Sequence, residues 1–480
     1  MDTERTTGLR GLLCLLLALA LCLGLTGCGR RKSGANGAQP SAAAEQAPTP
    51  VPTVAVGGRE FPVNETEITA VLSAGETEKL DLLPSLRRAD LSGSENVREI
   101  AAWAAMHPGV EVIWTVRLPN GAVLDSRAET ADLSGCAGAE LADMAGPLSL
   151  LPALKRIDLG AERDGMDWDS LAAFRAALPT VPFSYRFSLY DTDCDLENTA
   201  ISLYHIPVDD DGVLLERVMD LMPQLESVDL DGCDLPMWRC EEIHLLHPGV
   251  KVVFRVWFGD NYSVRTDTEM ILASKPSVGG ELRPDNVEGL SYCHDVKYLD
   301  VGHNTMLTDL SFLAEMPKLE VAILAMCNWS DATPLSHCPE LEYIEMQTTL
   351  CTDLSPLSGL TKLRHLNVCN IGADVEEWPR PSLTDITPLY SLTELERLWI
   401  GGYNEVPPEQ IEEMHRRAPR CEINDTVGDP HGGPWRCIDM ADYINTYVDT
   451  LHPRYIKLRE QFGEYADSAY SFSWNDPLYY

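Results

Sequence analysis

Leu319-Glu-Val-Ala-Ile-Leu324 and Leu341-Glu-Tyr-Ile-Glu-Met346 are two copies of one six-residue phrase, and their spacing decides the fold. Leu363-Arg-His-Leu-Asn-Val368 and Leu395-Glu-Arg-Leu-Trp-Ile400 continue the series. Pro317, Pro339 and Thr361 stand at the same place ahead of three phrases, 22 residues apart, whereas Thr361 and Thr393 are 32 apart. The stretch Asp374–Ser382 reads as the insertion that makes the difference. A Phe-Leu or Pro-Leu step separates the phrases: Phe312-Leu313, Pro334-Leu335, Pro356-Leu357 and Pro388-Leu389. Two apolar residues at period 2 turn one side of a short strand into a core, and the later leucine covers the return limb. No single unit of this kind can bury its own apolar face, so neighbours must stack.

The pattern LxxLxLxxN, recurring every 20–29 residues or so, resembles the bacterial leucine-rich repeat. The resemblance is clearest over residues 285–425, and it implies an α/β solenoid built as a leucine-rich-repeat array. Leu299, Leu324, Met346, Val368 and Ile400 are then expected to line one interior row. At the ninth position Asn304 fits, while Cys327, Thr349, Ile371 and Tyr403 replace the asparagine. Cysteine and threonine can still line such a turn; Ile371 and Tyr403 depart from the pattern.

The first half repeats at a longer period. Leu83-Pro84-Ser-Leu86-Arg-Arg-Ala-Asp-Leu91 matches phrases beginning at Leu151 and Met222, their prolines 68 and 71 residues apart. His107-Pro108-Gly109-Val110 and His247-Pro248-Gly249-Val250 bracket Leu178-Pro179-Thr180-Val181, spaced 71 and 69. Strands around Thr66, Thr130, Thr199 and Thr268 keep the same step. Residues 58–284 are therefore expected to form three elongated modules of about 70 residues. Each holds two repeat turns, a helix (Glu99–Met106 in the first) and an extra hairpin from an extended run such as Val110–Leu118, Phe183–Leu189 or Val250–Phe258. Residues 426–480 break the period, and near-helical spacing of Ile438, Tyr443, Ile444, Tyr447, Val448 and Leu451 predicts a helical C-terminal cap or an aromatic contact surface.

At the front, Arg5 and Arg10 precede an apolar run from Gly11 to Leu25, too short to span a bilayer comfortably. Residues 1–27 read as a signal peptide. Leu25-Thr26-Gly27-Cys28 resembles the lipobox of bacterial lipoproteins, which implies cleavage before Cys28 and a lipid on its thiol. Arg30-Arg31-Lys32 would favour anionic headgroups beside that anchor. Residues 28–57 are expected to be a lipidated cysteine and a disordered Ala/Pro/Gly/Ser-rich linker. The protein is expected at the cell membrane, lipid-anchored and facing outside the cytoplasm.

Composition narrows function further. Asp plus Glu number 74 against 37 Lys plus Arg, a net charge of −37, which repels phosphate backbones and argues against nucleic acid. Of 14 cysteines, 11 lie beyond Cys28 with no CxxC pair, which argues against zinc and predicts mostly buried free thiols. No GxSxG, HExxH or P-loop occurs, His431-Gly432-Gly433 lacks a nucleophile motif, and no cofactor is expected. His244 and His247 have a ligand-like spacing, but His247 opens a repeated turn and reads as structural. Asp191, Asp193 and Asp195 resemble the start of a calcium loop, yet Leu196 and Ser202 stand where that loop needs Gly and Glu. No metal is expected.

In LxxLxLxxN the third and fifth positions point out of the sheet. The fifth positions run Asp90, Asp158, Asp229, Asp300, Ile323, Glu345, Asn367, Trp399, acidic at one end and aromatic or apolar at the other. Tyr298, Ile323, Tyr343, Arg397 and Trp399 are the expected ligand-binding residues, because aromatic and arginine side chains dominate binding hot spots. The expected function is a non-catalytic protein- or glycan-binding module; the alternative is an envelope enzyme acting on peptidoglycan or polysaccharide through carboxylates.

Overall fold

The computed structural model describes residues 51–163, 165–260, 262–274, 281–370 and 381–425. The signal peptide, Cys28, the basic triplet, most of the insertion and the expected cap over 426–480 lie outside the described residues.

Strands β1 (Thr53–Val56) and β2 (Arg59–Pro62) pair as a hairpin. This corrects the linker boundary: order begins before residue 57. Gly57 and Gly58 turn the chain with φ of 55° and 75°, a backbone that a two-residue hairpin needs and glycine supplies freely. Val56 and Phe61 go into the core.

Three sets of elements follow. The first holds β3 (Glu67–Thr69), β4 (Arg88–Asp90), α1 (Val97–Met106), β5 (Glu111–Ile113) and the hairpin β6 (Thr115–Arg117)/β7 (Val123–Asp125). The second holds β8 (Thr130–Asp132), α2 (Gly138–Leu148), β9 (Arg156–Ala161), α3 (Trp168–Ala177), β10 (Phe183–Leu189) and β11 (Thr192–Asp195). The third holds β12 (Ala200–Ser202), α4 (Val213–Met219), β13 (Ser227–Asp229), α5 (Met237–Leu246), β14 (Lys251–Val253) and the hairpin β15 (Arg255–Phe258)/β16 (Tyr262–Arg265). In each set three strands pair in parallel, and an antiparallel hairpin follows or extends the third. The helices bury Ile100 and Trp103, Leu171 and Phe174, Cys240 and Ile243 against the strands.

From residue 270 the return limb shortens. β17 (Met270–Leu272), β18 (Tyr298–Asp300), β19 (Val321–Ile323), β20 (Tyr343–Glu345), β21 (His365–Asn367), β22 (Arg397–Trp399) and β23 (Glu422–Asn424) form one parallel seven-stranded sheet in sequence order. Single 3-10 turns bring the chain back, at Ser311–Glu315, Thr333–His337 and Ser355–Gly359 among others. Four of them start the same way: the carboxylates of Asp309, Asp331, Asp353 and Asp385 accept the backbone N–H two residues on, at 2.8–2.9 Å. Proline at the second turn residue costs no hydrogen bond there, which explains the Pro-Leu step. A helix, α6 (Pro408–Arg417), closes the last described unit and buries Met414.

The interior holds two rows, which corrects the single row expected. Leu299 is in register with Ala322, Ile344, Leu366 and Leu398, all fully buried. Val301, two residues on, belongs with Leu324, Met346, Val368 and Ile400.

The ninth position is where the turn is tied down. Asn304, fully buried, donates from Nδ2 to the carbonyls of Val301 (2.9 Å) and of Ala273 in the preceding unit (2.9 Å), and accepts from Leu282 N–H (2.9 Å). Cys327 takes the same place, its thiol 3.3 Å from the Val301 carbonyl. Tyr403 does not break the pattern, as its sequence position suggests. Gly402, at φ 79°, absorbs one extra residue, and Asn404 donates to Val368 (2.8 Å) and Ile400 (3.1 Å) and accepts from Leu383 N–H (3.0 Å). Ile371 lies outside the described residues.

Candidate binding face

The sheet register brings the five expected ligand residues onto one face. Tyr298, Val321, Tyr343, His365 and Arg397 are successive partners in one row, and Asp300, Ile323, Glu345, Asn367 and Trp399 in the next. With strands about 4.8 Å apart, such rows are continuous ladders of side chains.

The face is not open to water, and this corrects the sequence expectation. Tyr298 keeps 9% exposure, Ile323 4%, Tyr343 2%, Arg397 1% and Trp399 2%. Tyr298, Ile323, Tyr343 and Trp399 join Leu272 and Cys369 in a second apolar cluster, distinct from the main core. Arg397 is not an open cation: its Nε and Nη2 lie 2.9 and 2.7 Å from Glu422 Oε2 on β23. The Tyr343 hydroxyl donates to the Glu345 carboxylate, and the Tyr343 ring stands 5.6 Å from that of His365. Burial, with the Glu320 carboxylate 3.4 Å away, pushes the Tyr298 phenol up to about 12.

The acidic fifth positions have a local task that the sequence reading treated as a ladder for ligands. The side-chain oxygens of Asp90, Asp158, Asp229, Asp300 and Asn367 each accept the backbone N–H two residues on, at 2.8–3.1 Å. These are Asx turns that end each strand and start the bend. The signal was present in the sequence as Asp followed two residues later by a small or turn residue. Asn367 Nδ2, by contrast, is buried with no hydrogen-bond partner among the described residues.

Other singled-out residues resolve as structure. Asp191 turns a hairpin at φ 64°, Asp193 lies exposed on β11, and the Asp195 carboxylate is taken up by the Ser184 hydroxyl (2.6 Å) and the Glu197 N–H (2.9 Å). Asp210 accepts from Gly212 and Leu214 N–H at the start of α4. His244 stacks on His294, ring centroids 5.6 Å apart, and His294 bridges the Glu241 carboxylate (3.0 Å) and the Glu315 carbonyl (2.9 Å). Glu241 is the partner that sequence reading missed; it sits one helical turn before His244. Among the described residues no His/Cys/Asp/Glu group could hold a metal ion, and no helix is long and apolar enough to cross a membrane. All ten described cysteines are free thiols, nine of them buried.

No family model matches the chain. It is 28% identical over 155 residues to the human cilia- and flagella-associated protein 410, and the match covers 32% of this chain and 58% of that protein. Among solved structures it is similar to internalin C2 of Listeria monocytogenes (17% identity, 48% of this chain and 80% of that one, TM-score 0.27). It is also similar to the Listeria internalin InlF (14%, 78% and 86%, TM-score 0.26) and to a leucine-rich-repeat protein of Leptospira interrogans (14%, 74% and 92%, TM-score 0.27). The stacked-repeat fold rests on the parallel register of the chain's own strands; these TM-scores are too low to add to it.

Proposed function

We propose that this chain is an extracytoplasmic binding protein, held at a membrane by a lipid on Cys28, that recognises a protein or glycan and catalyses nothing. In this reading residues 58–284 are three elongated leucine-rich-repeat-like modules, residues 285–425 shorter repeats, and residues 426–480 a cap. The outward face of β17–β23 is the recognition surface, with Tyr298, Ile323, Tyr343, Arg397 and Trp399 as its contact residues. The observation that carries it is the register: Tyr298, Tyr343 and Arg397 stand in one in-register row and Ile323 and Trp399 in the next, across the five adjacent strands β18–β22. Such rows suit an extended macromolecular partner better than a small substrate.

An envelope hydrolase working through carboxylates is less well supported, because Asp90, Asp158, Asp229 and Asp300 are occupied with their own backbone turns. The test is a binding screen of the soluble form beginning at Val54 against purified envelope glycans and surface proteins. Tyr343→Ala with Trp399→Ala is expected to weaken any hit at least tenfold; unchanged binding overturns the site. Turnover of cell-wall substrate in the same screen overturns the non-catalytic reading. A clickable fatty acid should label Cys28 in cells, and not the Cys28→Ala chain.

A further inference from the structure

A layer of side chains on one face of a sheet cannot exclude water from its own outer side. On β17–β22, nevertheless, Glu345 and Arg397 keep 1% exposure, Tyr343, His365 and Trp399 2%, and Asn367 none. Every member of the apolar cluster on this face belongs to the seven-stranded sheet or the turn that leaves it. The buried residues of the helices and 3-10 turns pack instead in the main core, behind the sheet. Something other than the described elements covers the face.

We propose that residues 426–480 of the same chain are that cover, an intramolecular occupant of the recognition face that any ligand has to displace. The proposal rests on the reading of this face as the binding surface. Three features select this segment: where it begins, its length and its chemistry.

It begins at the right place. Residue 426 follows two residues after β23, which pairs with β22, the strand of Arg397 and Trp399. Tethering at the edge of the face gives the segment a high effective concentration there.

It is long enough. Seven strands span about 30 Å. Residues 438–451 alone would cover about 20 Å as a helix at 1.5 Å per residue, with more than forty residues of the segment to spare. The insertion is too short. Its ends are pinned together by Asn370 Nδ2 on the Pro381 carbonyl at 2.8 Å. A ten-residue loop so closed reaches about 16 Å, short of Leu272, four strands or about 19 Å from β21.

Its chemistry fits. Ile438, Tyr443, Ile444, Tyr447, Val448 and Leu451 recur at helical spacing, an apolar stripe for Tyr298, Ile323, Tyr343 and Trp399. Arg454, Lys457 and Arg459 follow, cations in a chain of net charge −37, and the face and its margin hold Asp300, Glu345 and Glu320.

Hydroxyl-radical footprinting of the soluble chain, wild type and Tyr443→Asp/Tyr447→Asp/Leu451→Asp, tests this without any ligand, so its outcome is independent of whether the face binds a partner. In the wild type, Tyr343 and Trp399 should oxidise at least tenfold more slowly than the exposed Trp238 and Trp257. In the variant they should rise to within threefold of them, while Trp329 in the main core stays protected. Oxidation of Tyr343 and Trp399 as fast as Trp238 in the wild type overturns the proposal. Protection unchanged in the variant, or lost from the wild type on dilution as a second copy would require, overturns it too. Should Trp329 also become labelled, a photo-cross-linker at Tyr447 in the otherwise wild-type chain decides: cross-links to residues 298–399 support the proposal, and their absence overturns it.

Discussion

The Asn304 side chain donates to the carbonyl of Ala273 at 2.9 Å, joining two adjacent units across the solenoid's turn, and it has no exposure to solvent. The same amide also donates to Val301 and accepts from Leu282, so its hydrogen bonds all go to backbone, and for Ala273 O and Leu282 N–H it is the partner the turn supplies. A buried amide of this kind is worth more than a solvent-facing one, because its removal leaves backbone groups unsatisfied.

Asn304→Ala should therefore destabilise the protein by about 2–4 kcal/mol, from the orphaned Ala273 carbonyl and Leu282 N–H at roughly 1–3 kcal/mol each less partial relaxation. Urea unfolding checks it, with the midpoint falling and the slope unchanged. Asn304→Cys should lose less, since Cys327 shows that a thiol can reach the equivalent carbonyl at 3.3 Å.

At the far end of the array the same role has moved by one residue. Tyr403→Ala, at a position 37% exposed, should change stability by less than about 0.5 kcal/mol, whereas Asn404→Ala should cost about 1–3 kcal/mol. Gly402→Ala should be at least as damaging as Asn404→Ala, because its Cβ would stand 2.0 Å from the Asn370 carbonyl oxygen at φ 79°. Equal effects of Tyr403→Ala and Asn404→Ala in chemical denaturation would show that the register is wrong.

His294 links α5 to the first short units. Its Nδ1 and Nε2 each face an acceptor, the Glu315 carbonyl and the Glu241 carboxylate, which both nitrogens can satisfy only as donors. The Glu241 hydrogen bond is the main reason its pKa is raised above the ordinary histidine value, against the opposing effect of burial. Because the folded pKa is the higher one, the stabilisation is complete below the unfolded value of about 6.5 and is lost as pH rises through the folded pKa. Stability measured from pH 5.5 to 8.5 should fall over that window, and Glu241→Gln should flatten this component. A slope of opposite sign would contradict the assignment.

Burial pushes the thiols of Cys293, Cys338 and Cys421 up to about 12. At pH 8 they should resist iodoacetamide in the native protein and react fully in guanidinium, read by mass spectrometry of the peptides. Rapid native alkylation of any of the three would mean that these units open locally.

The repeat was legible because it is a local property. Leu319–Leu324 and its copies carry a period-2 core pattern at constant spacing, and stacking is the one arrangement that buries such faces. In the first half the hairpins after Trp114 and Phe254 fall where the extended runs Val110–Leu118 and Val250–Phe258 placed them. The Gly57-Gly58 turn is a local signal too, standing at the end of an Ala/Pro/Gly/Ser-rich stretch whose composition points to a linker.

The candidate site was legible only in part. Sequence placed Tyr298, Ile323, Tyr343, Arg397 and Trp399 on one face, since alternation along a strand assigns each residue a side. It did not reveal that Asp90, Asp158, Asp229 and Asp300 close Asx turns, or that Arg397 meets Glu422 twenty-five residues away. What the amino-acid order determined by itself is the unit, its period and its two sides, because those follow from spacing along the chain. Whether the outer side meets water was decided by the tertiary structure alone, because exposure depends on what lies across the sheet, and spacing along the chain carries no information about that.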